Sequence, residues 1–115
     1  MQKVIIDTNV IVSALIQQSY PHYIVYDRVL KKQFQLCLSE ALLDEYRDVL
    51  FRPKFSRMNN FASNAEIILE RFEEIAVFYE PKIRLDIIKD KSDNKLLELA
   101  DECNAHFLIT MRMTG

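Results

Sequence analysis

A chain of 115 residues and 13.6 kDa is expected to fold as one domain, residues 1–115, burying roughly 65% of the surface that its unfolded form exposes. Half of the residues are apolar and 28% are charged, an ordinary globular balance that excludes a disordered chain. The single glycine, at the last position, excludes a phosphate cradle of the P-loop or G-x-G-x-x-G kind, and a net charge of −2 excludes a global basic field while leaving room for a local basic strip.

The first element is residues 3–6, whose Val4, Ile5 and Ile6 make a continuously apolar strand, as expected where both faces of a sheet are covered. That strand delivers an acid, Asp7. Thr8 or Asn9 can cap a short helix over 10–15, which "QQSYPH" breaks. Tyr23, Tyr26, Val29 and Leu30 recur at helical spacing over 22–32, and "FQLCL" (34–38) reads as the second strand. Ser39 is a good N-cap for a helix over 40–51, limited by Pro53. Phe61, Ala65, Ile68, Leu69, Phe72, Ile75, Ala76 and Tyr79 form a long amphipathic stripe, predicting one helix that Pro81 ends. "KIRLDII" (82–88) is extended in character. Residues 92–103 are helical, with Leu96, Leu99, Ala100 and Cys103 on one face, and "HFLIT" (106–110) is the last strand.

Strands alternating with helices predict an α/β fold with a mostly parallel central sheet and helical crossovers. Such sheets place their sites beyond the carboxyl ends of the strands, where Asp7 lies. Cys37 and Cys103 have no metal-type spacing and are expected to be buried and reduced, which points to the cytoplasm. His22 and His106 lack partners at HExxH or triad spacing and are read as structural or surface residues. There is no signal peptide and no apolar run of membrane-spanning length, so no membrane partner is expected.

The helix from Glu40 carries four acids, which the helical period separates. At about 100° per residue, Glu45 sits at the margin of the face holding Leu42, Tyr46 and Val49, while Glu40, Asp44 and Asp48 turn to solvent. The plain alternative is a core-edge Glu whose stem covers apolar surface. In "DKSDNKLLELA" (90–100), Asp93 opens the next helix on the side of its apolar face, and Asp90 lies one step earlier. Helix capping alone also accounts for acids there. Together, Asp7, Glu45 and Asp93 would reach one carboxyl edge from three elements, with no Arg or Lys placed among them. Two carboxylates about 4 Å apart repel by roughly 4 kcal/mol at an effective dielectric of 20, so such a cluster calls for protonation or a divalent cation. Oxygen donors without His or Cys suit Mg²⁺ or Mn²⁺, and metal-dependent phosphodiester hydrolysis is the matching reaction class.

"VIIDTNVIVSAL", "LSEALLDEYRDVLFRPKF" and "DKSDNKLLELADECNAHFLIT" resemble, in order and spacing, the PIN-domain nucleases, most closely the VapC-like toxin components of bacterial toxin–antitoxin pairs. The resemblance covers essentially the whole chain. It implies a three-layer α/β/α fold, an acidic site for Mg²⁺ or Mn²⁺, endonuclease action on RNA, a small antitoxin partner and a homodimer. Matched residue by residue, Asp7, Glu45 and Asp93 take the catalytic metal-site positions, with Asp90 as an accessory acid. Thr8, Asn9, Ser39 and Thr110 fall where the family places polar residues around the site. The last motif departs from the pattern: Arg112 stands where an acid or amide is expected, unless the alignment slips to Thr114–Gly115. The family's final helix and strand are expected to be missing.

The leading expectation is therefore a metal-dependent ribonuclease toxin, with Arg52, Lys54 and Arg57 of "FRPKFSR" as phosphate contacts and Phe55 as a stacking platform. The alternative is an inactive binding module that keeps the antitoxin or RNA contact, motivated by the cation at 112. A phosphatase or response-regulator receiver is a poor match, because neither a second acid two residues after Asp7 nor an acidic pair before it with a specific later lysine is present.

Overall fold

A computed structural model of the chain describes residues 1–17, 20–82 and 91–110. Strand β1 (Lys3–Ile6) lies between two parallel neighbours, β2 (Gln35–Leu38) and β4 (Phe107–Ile109), and β2 pairs on its other side with β3 (Val77–Phe78). The order is β3–β2–β1–β4, all parallel, in a three-layer α/β/α arrangement. Two flanking strands and covered faces explain why Val4, Ile5 and Ile6 are inaccessible to solvent.

Helix α1 is Thr8–Ile16, two residues earlier than expected at its start, because Asp7 rather than Thr8 or Asn9 is the N-cap residue. Helix α2 (Tyr20–Tyr23) continues as a π-helical segment, Ile24–Val29, so this region also begins earlier than its periodicity suggests. Pro21 fits in a first turn, where its missing N–H has no intrahelical partner to lose. Helix α3 (Glu40–Leu50) starts as expected: the Leu42 N–H donates to Ser39 Oγ at 3.1 Å. A short 3₁₀ turn, Pro53–Phe55, precedes α4 (Phe61–Ile75). Helix α5 (Lys91–Cys103) ends at Asn104, whose φ of 54° is the left-handed conformation that commonly closes helices.

The long stripe of apolar residues is not one helix. Backbone at Ala76 turns extended after Ile75, and Val77–Phe78 pair in parallel with Cys37 and Leu38. The Tyr79 N–H extends the ladder to the Leu38 carbonyl at 2.8 Å. Ile75, Ala76 and Tyr79 fit a helical period equally well. The deciding signal was the β-branched and aromatic run Val77–Phe78–Tyr79, which favours a pleated edge. The segment "KIRLDII" lies almost wholly outside the described residues.

The strand order places the site. From β1 the chain crosses to β2 and then β3 on one side, and returns to β4 on the other. The topological switch point, where such sheets open a crevice, is therefore between the carboxyl ends of β1 and β4. The Asp7 N–H donates to the Ile109 carbonyl at 2.9 Å, so pairing continues to the rim of that crevice. On the outer strand, Phe107 and Leu108 are more than a third exposed. Cys37 and Cys103 are free, buried thiols in contact, and burial together with its neighbour pushes Cys37 up to about 12, far from a reactive thiolate. Both histidines are structural: His22 Nδ1 pairs with the Ala14 carbonyl and His106 Nδ1 accepts from the Lys3 N–H.

Candidate active site

Asp7 is half-buried at the end of β1, and as N-cap of α1 it makes no side-chain cap hydrogen bond. Its position is thus set by the strand on one side and the helix on the other. Glu45, on the second turn of α3, is held at 9% exposure, against the sheet as its helical position predicts. Glu40, Asp44 and Asp48 are exposed. The buried Thr8 hydroxyl donates to Glu45 Oε2 at 3.0 Å, tying α3 to α1. Thr8 is thus bonded to Glu45, and Asn9 follows it half-buried on α1.

Tyr46 joins α3 to the end of β1. It is fully buried and its hydroxyl donates to the Ile6 carbonyl, the last residue of β1. Burial raises its phenol well above the ordinary value, and the negative charges of Asp7 and Glu45 raise it further. Replacing Tyr46 with Phe is expected to cost about 1–3 kcal/mol at pH 7, the range for leaving a buried acceptor unsatisfied. Below pH 10 both folded and unfolded states hold the phenolic proton, so the full contribution is present. Above pH 10 the unfolded chain releases it first, and the wild-type advantage over Tyr46→Phe shrinks by up to about 1.4 kcal/mol per pH unit. Urea unfolding of both proteins at pH 8 and pH 11 measures the difference.

Helix α5 buries its expected face, with Leu96, Leu99 and Cys103 in the core, and buries polar residues beside it. Asn94 and Glu98 are buried, and Leu97 is exposed. Lys95 Nζ lies 3.9 Å from Glu45 Oε1. A cation therefore does stand beside the acids, contrary to expectation. The available signal was spacing: Lys95 is four residues before Leu99 and so on its side of the helix. An apolar face assigned from Leu, Ala and Cys alone overlooks a lysine whose stem packs and whose head reaches out. Asp93 falls in the first turn of α5. Its side chain, with all of Asp90 and Arg112, lies outside the described residues.

The remaining expected residues are more distant or otherwise engaged. Ser39 is buried at the carboxyl end of β2 with its oxygen accepting the α3 cap bond, and Thr110 is exposed beyond the end of β4. Arg52 lies seven residues after Glu45, about 10 Å along the α3 direction at 1.5 Å per residue, toward the other end of the sheet. It pairs with Asp48 at 3.0 Å. Lys54 lies over the Phe55 ring, and Arg57 is exposed. Phe55 cannot serve as a stacking platform, because it is buried and stacked on Phe61 with ring centres 4.5 Å apart. At the carboxyl edge, an open depression of about 450 Å³ is lined by Ser39, Glu40, Phe78 and Tyr79 among others.

The described donors at the switch point are oxygens, the set that a hard divalent cation prefers. Among the described residues no three His, Cys, Asp or Glu side chains gather into a metal-holding group. Also among them, no helix is long and apolar enough to cross a membrane.

Comparison with known proteins agrees with this architecture. The profile of the PIN domain family matches residues 3–111. An uncharacterised protein of Methanocaldococcus jannaschii is 28% identical over 103 residues, which is 90% of this chain and 66% of that relative, just under two thirds of its length. No solved structure matches the chain.

Proposed function

The chain belongs to the PIN domain family, whose members are generally nucleases, and from that premise we propose that it is a metal-dependent endoribonuclease, the toxin of a toxin–antitoxin pair. The observation that carries this reading is the pairing of a half-buried Asp7 at the end of β1 with a buried Glu45 that the Thr8 hydroxyl, one residue after Asp7, ties to the same strand end. In it Asp7 and Glu45 hold Mg²⁺ or Mn²⁺, with Asp93, in the first turn of α5, as the third ligand and Asp90 as an accessory acid. A divalent cation held there supplies a Lewis acid for the phosphodiester and a water of lowered pKa. The chain's own groups do the positioning. Thr8 fixes one oxygen of Glu45, the β1-to-α1 turn fixes Asp7, and the Tyr46 hydroxyl anchors α3 to the end of β1.

RNA would lie along the carboxyl edge, where the 39%-exposed Phe78 offers the stacking surface that Phe55 does not. Thr110 and Asn9 are polar groups of that edge. Arg57 and Lys54, with Arg52 where it leaves Asp48, are assigned to phosphates further along the strand. An antitoxin and a second copy are the protein partners of this reading. The exposed Phe107 and Leu108 are apolar surface of the kind such contacts bury.

The test is Mn²⁺-dependent cleavage of single-stranded RNA by the wild type and Glu45→Gln. The variant should lose at least about 100-fold in rate, since even residues that merely orient metal ligands cost 10–100-fold. Equal rates in the two proteins would remove Glu45 from the site and the nuclease reading with it.

A further inference from the structure

A carboxylate as buried as Glu45 is costly unless a counter-charge or hydrogen bonds compensate it. Its two oxygens are served differently. Oε2 accepts the Thr8 hydroxyl at 3.0 Å, whereas Oε1 faces Lys95 Nζ at 3.9 Å, a Coulombic contact beyond hydrogen-bond length. The Lys95 side chain is 37% exposed, so its ammonium has water to move into, while Glu45 stays enclosed. Nothing in α5 itself favours a cation here, because Lys95 stands near the helix N-terminus, where the macrodipole favours negative charge.

We propose that Lys95 is the exchangeable counter-cation of the metal site. Its ammonium balances Glu45 Oε1 while no divalent ion is bound and yields that oxygen when one is. The inference rests on the metal-site reading of Asp7 and Glu45 given above. It assigns Oε2 to a fixed structural bond and Oε1 to exchange, and it makes Lys95 a positioning residue that lowers cation affinity and supports the metal-free fold.

Calorimetric titration of Mn²⁺ into the wild type, Lys95→Met and Lys95→Arg tests it. Met keeps the packed stem and removes the charge, so Lys95→Met should bind Mn²⁺ about tenfold more tightly, while Lys95→Arg should stay within about threefold of the wild type. In EDTA, Lys95→Met should melt below the wild type, and saturating Mn²⁺ should close that gap, since an ion bound only to the folded state raises its stability. If the wild type binds Mn²⁺ and Lys95→Met binds it equally or more weakly, the exchange is overturned and the metal site stands. If none of the three proteins binds Mn²⁺, the metal-site reading itself fails.

Discussion

Asp7→Asn should lower metal-dependent cleavage by about 10³-fold, the upper range for losing one preorganised electrostatic group, with the fold intact. The substitution is close to isosteric, and Asn is as good an N-cap residue as Asp, so the start of α1 survives it. What changes is one negative charge at the end of β1. Losing that charge beside the N-terminus of α1 costs about 0.3–1 kcal/mol, and relief of its repulsion with Glu45 offsets part of this. The unfolding free energy of the metal-free protein should therefore move by less than about 1 kcal/mol. The same variant should lose the rise in melting temperature that Mn²⁺ gives the wild type. Cleavage rates and melting curves with and without Mn²⁺ read out both effects. Wild-type rates from Asp7→Asn would leave that acid as a helix cap only. A large drop in metal-free stability would mean that its role is structural.

The elements that position this site were largely legible in the sequence, because each carried a local signal. Val4, Ile5 and Ile6 marked a doubly covered strand, and Ser39 marked the start of α3. The helical period placed Glu45 inward and Asp44 and Asp48 outward. What was not legible depended on partners distant in sequence. Val77 and Phe78 form a strand because Cys37 and Leu38 present an open edge to them, and no helical count over 61–79 contains that fact. Phe55 looked available for stacking until Phe61 covered it. No lysine was expected beside the acids, because the partner of Lys95 is fifty residues away on α3. The site thus differs from its sequence reading in a specific way. Its acids and the Thr8 hydroxyl were visible as types at positions, whereas the Tyr46 anchor and the ammonium beside Glu45 arise only from packing β1, α3 and α5 together. The burial of Asn94 and Glu98 has the same origin, since it adds polar groups to the face that Leu96, Leu99 and Cys103 already marked.

That packing yields the second large effect. Phe72→Ala should lower the unfolding free energy by about 3–5 kcal/mol, the usual cost of truncating a buried phenylalanine. A chain of 115 residues is expected to have a total of only about 6–17 kcal/mol, at 0.05–0.15 kcal/mol per residue. Phe72 is fully enclosed on α4, and its ring meets Tyr46 edge-on with centres 6.3 Å apart. The cavity would therefore open directly beneath the side chain that ties α3 to the end of β1. Ile67, on the same helix but 61% exposed, gives the contrast: Ile67→Ala should change stability by no more than about 0.5 kcal/mol. Urea unfolding of the two variants measures these costs. Cleavage at a temperature where Phe72→Ala is still folded then separates global stability from positioning. If the Tyr46 anchor holds Glu45 and Asp7 in register, activity should fall further than the small unfolded fraction explains. Unchanged activity per folded molecule would show that the two acids keep their places without it.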